Sequence, residues 1–124
     1  MSKTILLIDD EESILELLKH RISNAGYKVE TASDGHEALT LARELNPDLI
    51  VLDIMLPGID GYKICQMLKF DEAYQHIPII LLSARGQDSD KEIGLRTGAD
   101  RYLVKDSSQD LWENLQTAIN ELIG

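Results

Sequence analysis

The sequence holds one cysteine, so no internal disulfide can brace the fold. Cys65 stands between Ile64 and Leu68 on a prospective apolar helix face, where a thiol serves as core packing. Basic residues are also scarce: twelve Lys and Arg against twenty-two Asp and Glu leave a formal charge of -10. Such a charge repels nucleic acid and anionic lipid over any long range, which argues against direct DNA binding and against a membrane partner. Long apolar runs are missing too. No stretch approaches a membrane span, and Met1 to Ile8 lacks the basic segment and long apolar stretch of a secretory leader, so the expected location is the cytoplasm. The three histidines, His20, His36 and His76, are scattered without metal-ligand spacing and receive no chemistry.

What is present is ordinary for a folded protein. The 124 residues are 44% hydrophobic and 27% charged, which suits one compact domain over residues 1–124 with a real core. Ile5–Ile8, Leu49–Leu52 and Ile79–Leu82 are continuous apolar runs of strand length, as expected where both faces of a parallel sheet are covered. Tyr27–Thr31 alternates more and Tyr102–Val104 is short, so both suit strands nearer the sheet edges, and Pro78 is tolerable at a strand start.

Between the runs the period lengthens. Ile14, Leu17, Leu18, Ile22 and Ala25 form one helical stripe, and Ala38, Leu41, Ala42 and Leu45 a second. Leu111, Leu115, Ala118, Ile119 and Leu122 repeat the spacing behind a Ser107–Asp110 capping box; Ser89–Glu92 has the same box spacing, and a further helix fits Gly61–Leu68. Alternating strands and helices predict a doubly wound, flavodoxin-like α/β domain. Its five parallel strands would run in the order 2-1-3-4-5 with helices on both faces.

In such sheets ligands bind beyond the carboxyl ends of the strands, where the order reverses. Asp9 and Asp10 follow the first run, Asp53 the third, Ser83 the fourth and Lys105 the fifth. Three carboxylates on one rim repel one another unless a cation or the Lys105 ammonium offsets them, and magnesium suits a shallow oxygen-lined rim facing a phosphate. Each residue also has a plainer reading. Asp9 or Asp10 can cap a helix, Asp53 and Ser83 can form turns, and Lys105 can be a solvated surface lysine. Their coincidence at one rim favours metal-assisted phosphoryl chemistry.

Over nearly its whole length the chain resembles the receiver domain of two-component response regulators, of the chemotaxis-regulator type. The resemblance rests on Asp9-Asp10, on the run Asp53-Ile54-Met55-Leu56-Pro57-Gly58-Ile59-Asp60-Gly61, on Ser83-Ala84, and on Gly98-Ala99-Asp100-Arg101-Tyr102-Leu103-Val104-Lys105, in that order. It implies that Asp53 accepts a phosphoryl group from a phosphohistidine of a sensor histidine kinase or phosphotransfer protein, or from acetyl phosphate. It further implies magnesium, with manganese as the alternative ion, bound by Asp10, Asp53 and the Met55 backbone carbonyl, with Asp9 helping through water. Lys105 would pair with the phosphoryl group. Ser83 and Tyr102 look like the family's switch pair, passing the state to a downstream effector protein. Pro57, Gly58 and Gly61 would shape the turn carrying Met55, and Asp60 would cap the next helix.

Two departures from the family pattern stand out. Asp106 follows Lys105 where proline is usual, and a cis bond there would cost about 2.5–4 kcal/mol without proline. Arg101 replaces an acid found in the large DNA-binding subgroup, and residues 110–123 contain no Lys or Arg, so that subgroup's salt-bridged dimer lacks support. Trp112, beside the Leu111 stripe, is read as core packing ahead of a partner contact. The expected role is a phosphoacceptor switch that acts only on itself, not an enzyme with turnover. A receiver-like interaction module independent of phosphorylation is the alternative. A phosphatase of the DxD type is disfavoured, because Met55 stands where its second acid belongs.

Overall fold

The computed structural model describes residues 2–84, 96–105 and 110–124. Its elements are β1 (Thr4–Ile8), α1 (Glu12–Asn24), β2 (Lys28–Ala32), α2 (Gly35–Leu45), β3 (Leu49–Asp53), α3 (Gly61–Lys69), β4 (Ile79–Ser83), β5 (Arg101–Val104) and α4 (Asp110–Ile123). The five strands pair in parallel in the order β2-β1-β3-β4-β5, as the strand–helix alternation predicts. The box at Ser89–Glu92, residue Ser107 and residue Asp106 lie outside the described residues. No helix among the described residues is long and apolar enough to cross a membrane.

The apolar runs divide their side chains between two cores by strict alternation. Leu6, Ile8, Ile50, Leu52, Ile79 and Leu81 face α2 and α3. Ile5, Leu7, Leu49, Val51, Ile80 and Leu82 face α1 and α4. Every one of these twelve is fully buried, which explains why the runs are continuous and not alternating. Leu52 pairs in register with Ile8 and Leu81 at the centre, so truncating it to alanine would cost about 2–5 kcal/mol. Cys65 is buried in the first core, and Trp112 packs against the second.

Two helix stripes differ from the periodic reading. In α1, Leu17 is 50% exposed and Leu15 packs in its stead beside Ile14, Leu18 and Ile22, while Ala25 is exposed. In α2, Leu45 is 38% exposed and Leu39 is buried. Both faces keep the centre of the expected stripe, Ile14, Leu18 and Ile22 in α1 and Ala38 and Ala42 in α2, and are turned by well under a third of a revolution from it, because the sheet, and not the helix alone, chooses the buried face.

Local chemistry sets the ends of the helices. Asp34 accepts a hydrogen bond from the Glu37 amide at 2.8 Å to start α2, and Asp60 accepts from Lys63 at 3.0 Å to start α3, as expected of Asp60. Glu11 precedes α1 without a side-chain cap, leaving its carboxylate available for other partners. Gly58 has φ +87°, and a Cβ on Gly61 would fall 2.5 Å from the Asp53 carbonyl oxygen. The turn after β3 therefore needs glycine at both positions.

Candidate functional site

The strand register brings the predicted rim together. Ile8 aligns with Leu52, Asp53 with Leu82, and Ser83 with Val104, so the residues that end or follow β1, β3, β4 and β5 converge. Asp9 extends the ladder by donating its amide to Ala32 O at 3.1 Å, and Lys105 does so by donating to Ser83 O at 2.6 Å. Asp53 and Ser83 are the last residues of their strands, one position inside the connections where the sequence reading put them.

Burial separates the acids. Asp9 and Asp53 are 0% and 2% exposed, whereas Asp10 and Glu11 are exposed. The Lys105 ammonium donates to Asp9 Oδ1 at 3.0 Å, Glu11 Oε1 at 3.0 Å and Asp53 Oδ2 at 3.3 Å. All three of its hydrogens thus have carboxylate acceptors. The Met55 amide donates to Asp53 Oδ1 at 3.2 Å, and the Glu11 amide to Asp9 Oδ1 at 2.9 Å.

This geometry shifts two proton affinities. Burial, and then the neighbouring Asp9 charge, push the Asp53 carboxyl up from 3.8 to about 6 against the opposing pull of the Met55 amide and Lys105. Burial opposes the charge on Lys105, yet its hydrogen bonds to Asp9 and Glu11, with the charges of Asp9 and Asp53, raise its pKa above the ordinary lysine value. The surroundings thus favour the charged form of the lysine and the protonated form of Asp53.

The donors fit a hard cation. Oxygens of Asp9, Asp10 and Asp53 lie within 4.8 Å of one another. Asp9 Oδ2, although 2.8 Å from the ammonium nitrogen, is buried and accepts no hydrogen bond, because the lysine's bond goes to Oδ1. A cluster of this kind can hold a metal. Beside it opens a cleft of about 780 Å³, lined among others by Met55, Pro57, Tyr62, Ala84 and Lys105.

Residues 5–119 match the response regulator receiver domain. The chain belongs to that family. Over 105 residues this receiver is 49% identical to the alkaline phosphatase synthesis transcriptional regulatory protein PhoP of Bacillus subtilis, covering 85% of this chain and 43% of PhoP. It spans less than half the length of that and the other first curated relatives, with 48% of a probable transcriptional regulator of Cyanophora paradoxa and 39% of one of Guillardia theta. Among solved structures it is similar to the chemotaxis protein CheY4 of Vibrio cholerae, at 30% identity and TM-score 0.88 over 99% of this chain and 100% of that one. It is also similar to the phosphorylated cyanobacterial phytochrome response regulator RcpA, at 25% identity and TM-score 0.90 over 100% and 96%.

Of the receiver's predicted site residues, Asp9, Asp10, Asp53 and Lys105 form one cluster. Met55 joins it through its amide, the residue as a whole being 57% exposed. Ser83 is buried at the end of β4; Tyr102, half-buried, aligns with Leu81 and so shares a sheet face with Ser83, two residues along. Glu11 is the residue that sequence reasoning missed. Its partner lies 94 positions away, and the available signal was the unbroken acidic run from Asp9 to Glu12, too much charge for one lysine to balance.

Proposed function

We propose that this receiver is switched by phosphorylation of Asp53, with a sensor histidine kinase or phosphotransfer protein upstream and an effector protein downstream. The observation that carries the reading is the convergence of Asp9, Asp10 and Asp53 in one oxygen cluster, with the Lys105 ammonium held on Asp9 and Asp53. A carboxylate is a weak nucleophile, so attack on phosphorus depends on in-line placement and on neutralising charge around the transferring oxygens. An oxygen of Asp53 bonds to phosphorus as the P–N bond of a phosphohistidine breaks, and the electron pair leaves with the imidazole nitrogen. With acetyl phosphate the P–O bond breaks and the pair leaves as acetate.

Asp10, Asp53 and the Met55 backbone carbonyl, with Asp9 acting through water, would hold magnesium, or manganese in its place, to supply positive charge at the transferring oxygens. Lys105 turns hydrogens from carboxylate to phosphoryl oxygens, forming charge-assisted bonds. The Ser83 hydroxyl donates to a phosphoryl oxygen, and the half-buried Tyr102 ring repacks on the same sheet face, so local charge selects between two packings. RcpA, which has been solved in phosphorylated form, supports this reading by similarity. The net charge of -10 supports output through protein contact instead of direct nucleic-acid contact by this segment.

Incubation with magnesium and acetyl phosphate should add the mass of one phosphate. Chelation or Asp53→Asn should abolish the adduct; an adduct that survives the substitution would remove Asp53 from the role.

A further inference from the structure

The Lys105 ammonium has three carboxylate partners in very different settings. Asp9 is fully buried and Asp53 nearly so, whereas the Glu11 side chain is 59% exposed. The Glu11 contact is 3.0 Å and the Asp53 contact 3.3 Å, so the exposed acid binds the lysine at least as closely as the buried one. Glu11 also lines the cleft beside Asp53. Its side chain makes no cap to α1, whose first turn is instead served by the Glu11 carbonyl accepting from Ile14 and Leu15. Among the described residues the carboxylate has no partner but Lys105.

An ammonium with all three hydrogens engaged must surrender one to greet a phosphoryl group. Neither Asp9 nor Asp53 can readily be the partner released, since an enclosed carboxylate stripped of its cation is costly. Glu11 can, because water replaces the lost bond at an exposed acid. We propose that Glu11 is a positioning residue that competes with the phosphoryl group for Lys105, restraining the lysine in the resting protein. The inference rests on the phosphoacceptor reading of Asp53.

The test uses beryllofluoride with magnesium as a phosphoryl mimic, its affinity read from amide NMR titrations of the full chain. Glu11→Gln keeps the shape of the side chain and removes its charge. It should tighten binding about two- to fivefold, the range of one partly exposed ion pair. In Lys105→Met the same substitution should produce no tightening, because the competitor has lost its target. Glu12→Gln, an equal charge change one residue along that lines the adjoining pocket, is the control for long-range charge. The Lys105 ammonium protons should also exchange faster with solvent in Glu11→Gln without metal.

Equal tightening by Glu11→Gln and Glu12→Gln, tightening that persists in Lys105→Met, or unchanged affinity would each overturn the proposal. Failure of the parent protein to bind beryllofluoride at all would be a different result, bringing down the phosphoacceptor reading and the proposal with it.

Discussion

Two pairs of acids stand side by side on one rim, and burial gives them different work. Asp9 and Asp53 are enclosed at the ends of β1 and β3, while Asp10 and Glu11 face solvent at the start of the first crossover. A carboxylate in water bears its charge at little cost and can exchange partners; an enclosed one bears it only while something positive is close. The enclosed pair therefore couples stability to the state of the site, and the exposed pair adjusts what approaches it.

Removing the shared cation should break this comparison most severely. Lys105→Met leaves two enclosed carboxylates unpaired and should destabilise the metal-free protein by about 3 kcal/mol at pH 7.5. Urea denaturation in the presence of a chelator measures it. The loss should shrink below pH 6, where Asp53 takes up a proton; an equal loss at both pH values would mean that the lysine acts through packing alone.

Neutralising one enclosed acid should act in the opposite direction. The folded pKa of Asp53, about 6, lies above the ordinary 3.8, so the native state binds the proton more tightly than the unfolded chain does. The stability contributed by that proton is fully present below 3.8 and is lost as pH rises through about 6. Asp53→Asn should accordingly be more stable than the parent by about 1–3 kcal/mol at pH 7.5 without metal. The advantage should vanish near pH 4, and parallel curves across that span would refute the assignment. Magnesium competes with the same proton, so its affinity for the parent should decline as pH falls below about 6, readable by titration.

The exposed pair sharpens the contrast by its small effects. Asp10→Asn should alter stability by no more than about 0.5 kcal/mol, as is usual for a solvated surface acid. It should nonetheless weaken magnesium binding in the same titration. A large loss of stability there would erase the distinction between the two pairs.

Much of this was readable from residues alone, because a continuous apolar run has few places to go. Ile5–Ile8, Leu49–Leu52 and Ile79–Leu82 lie at the sheet centre, and the polar residues that close them meet at the carboxyl rim. Helix faces were less legible. Leu15 and Leu17 both suit a helical stripe, as do Leu39 and Leu45, and only the sheet's direction decides between them. Partners across the chain were also hidden: nothing in sequence spacing ties Glu11 to Lys105, and nothing in composition distinguishes the enclosed Asp9 from the exposed Asp10.

Gly61 has one further consequence. A side chain there would strike the Asp53 carbonyl and the Ile54 backbone, so the first turn of α3 packs directly on the peptide that follows the phosphoacceptor candidate. On the proposed chemistry, new oxygens on Asp53 must grow into the cleft bordered by Met55, Ala84 and Lys105. The donor that loads the group and the water that hydrolyses it then share a doorway. Whatever narrows that doorway slows loading and unloading alike, and the 57% exposed Met55 stands beside it.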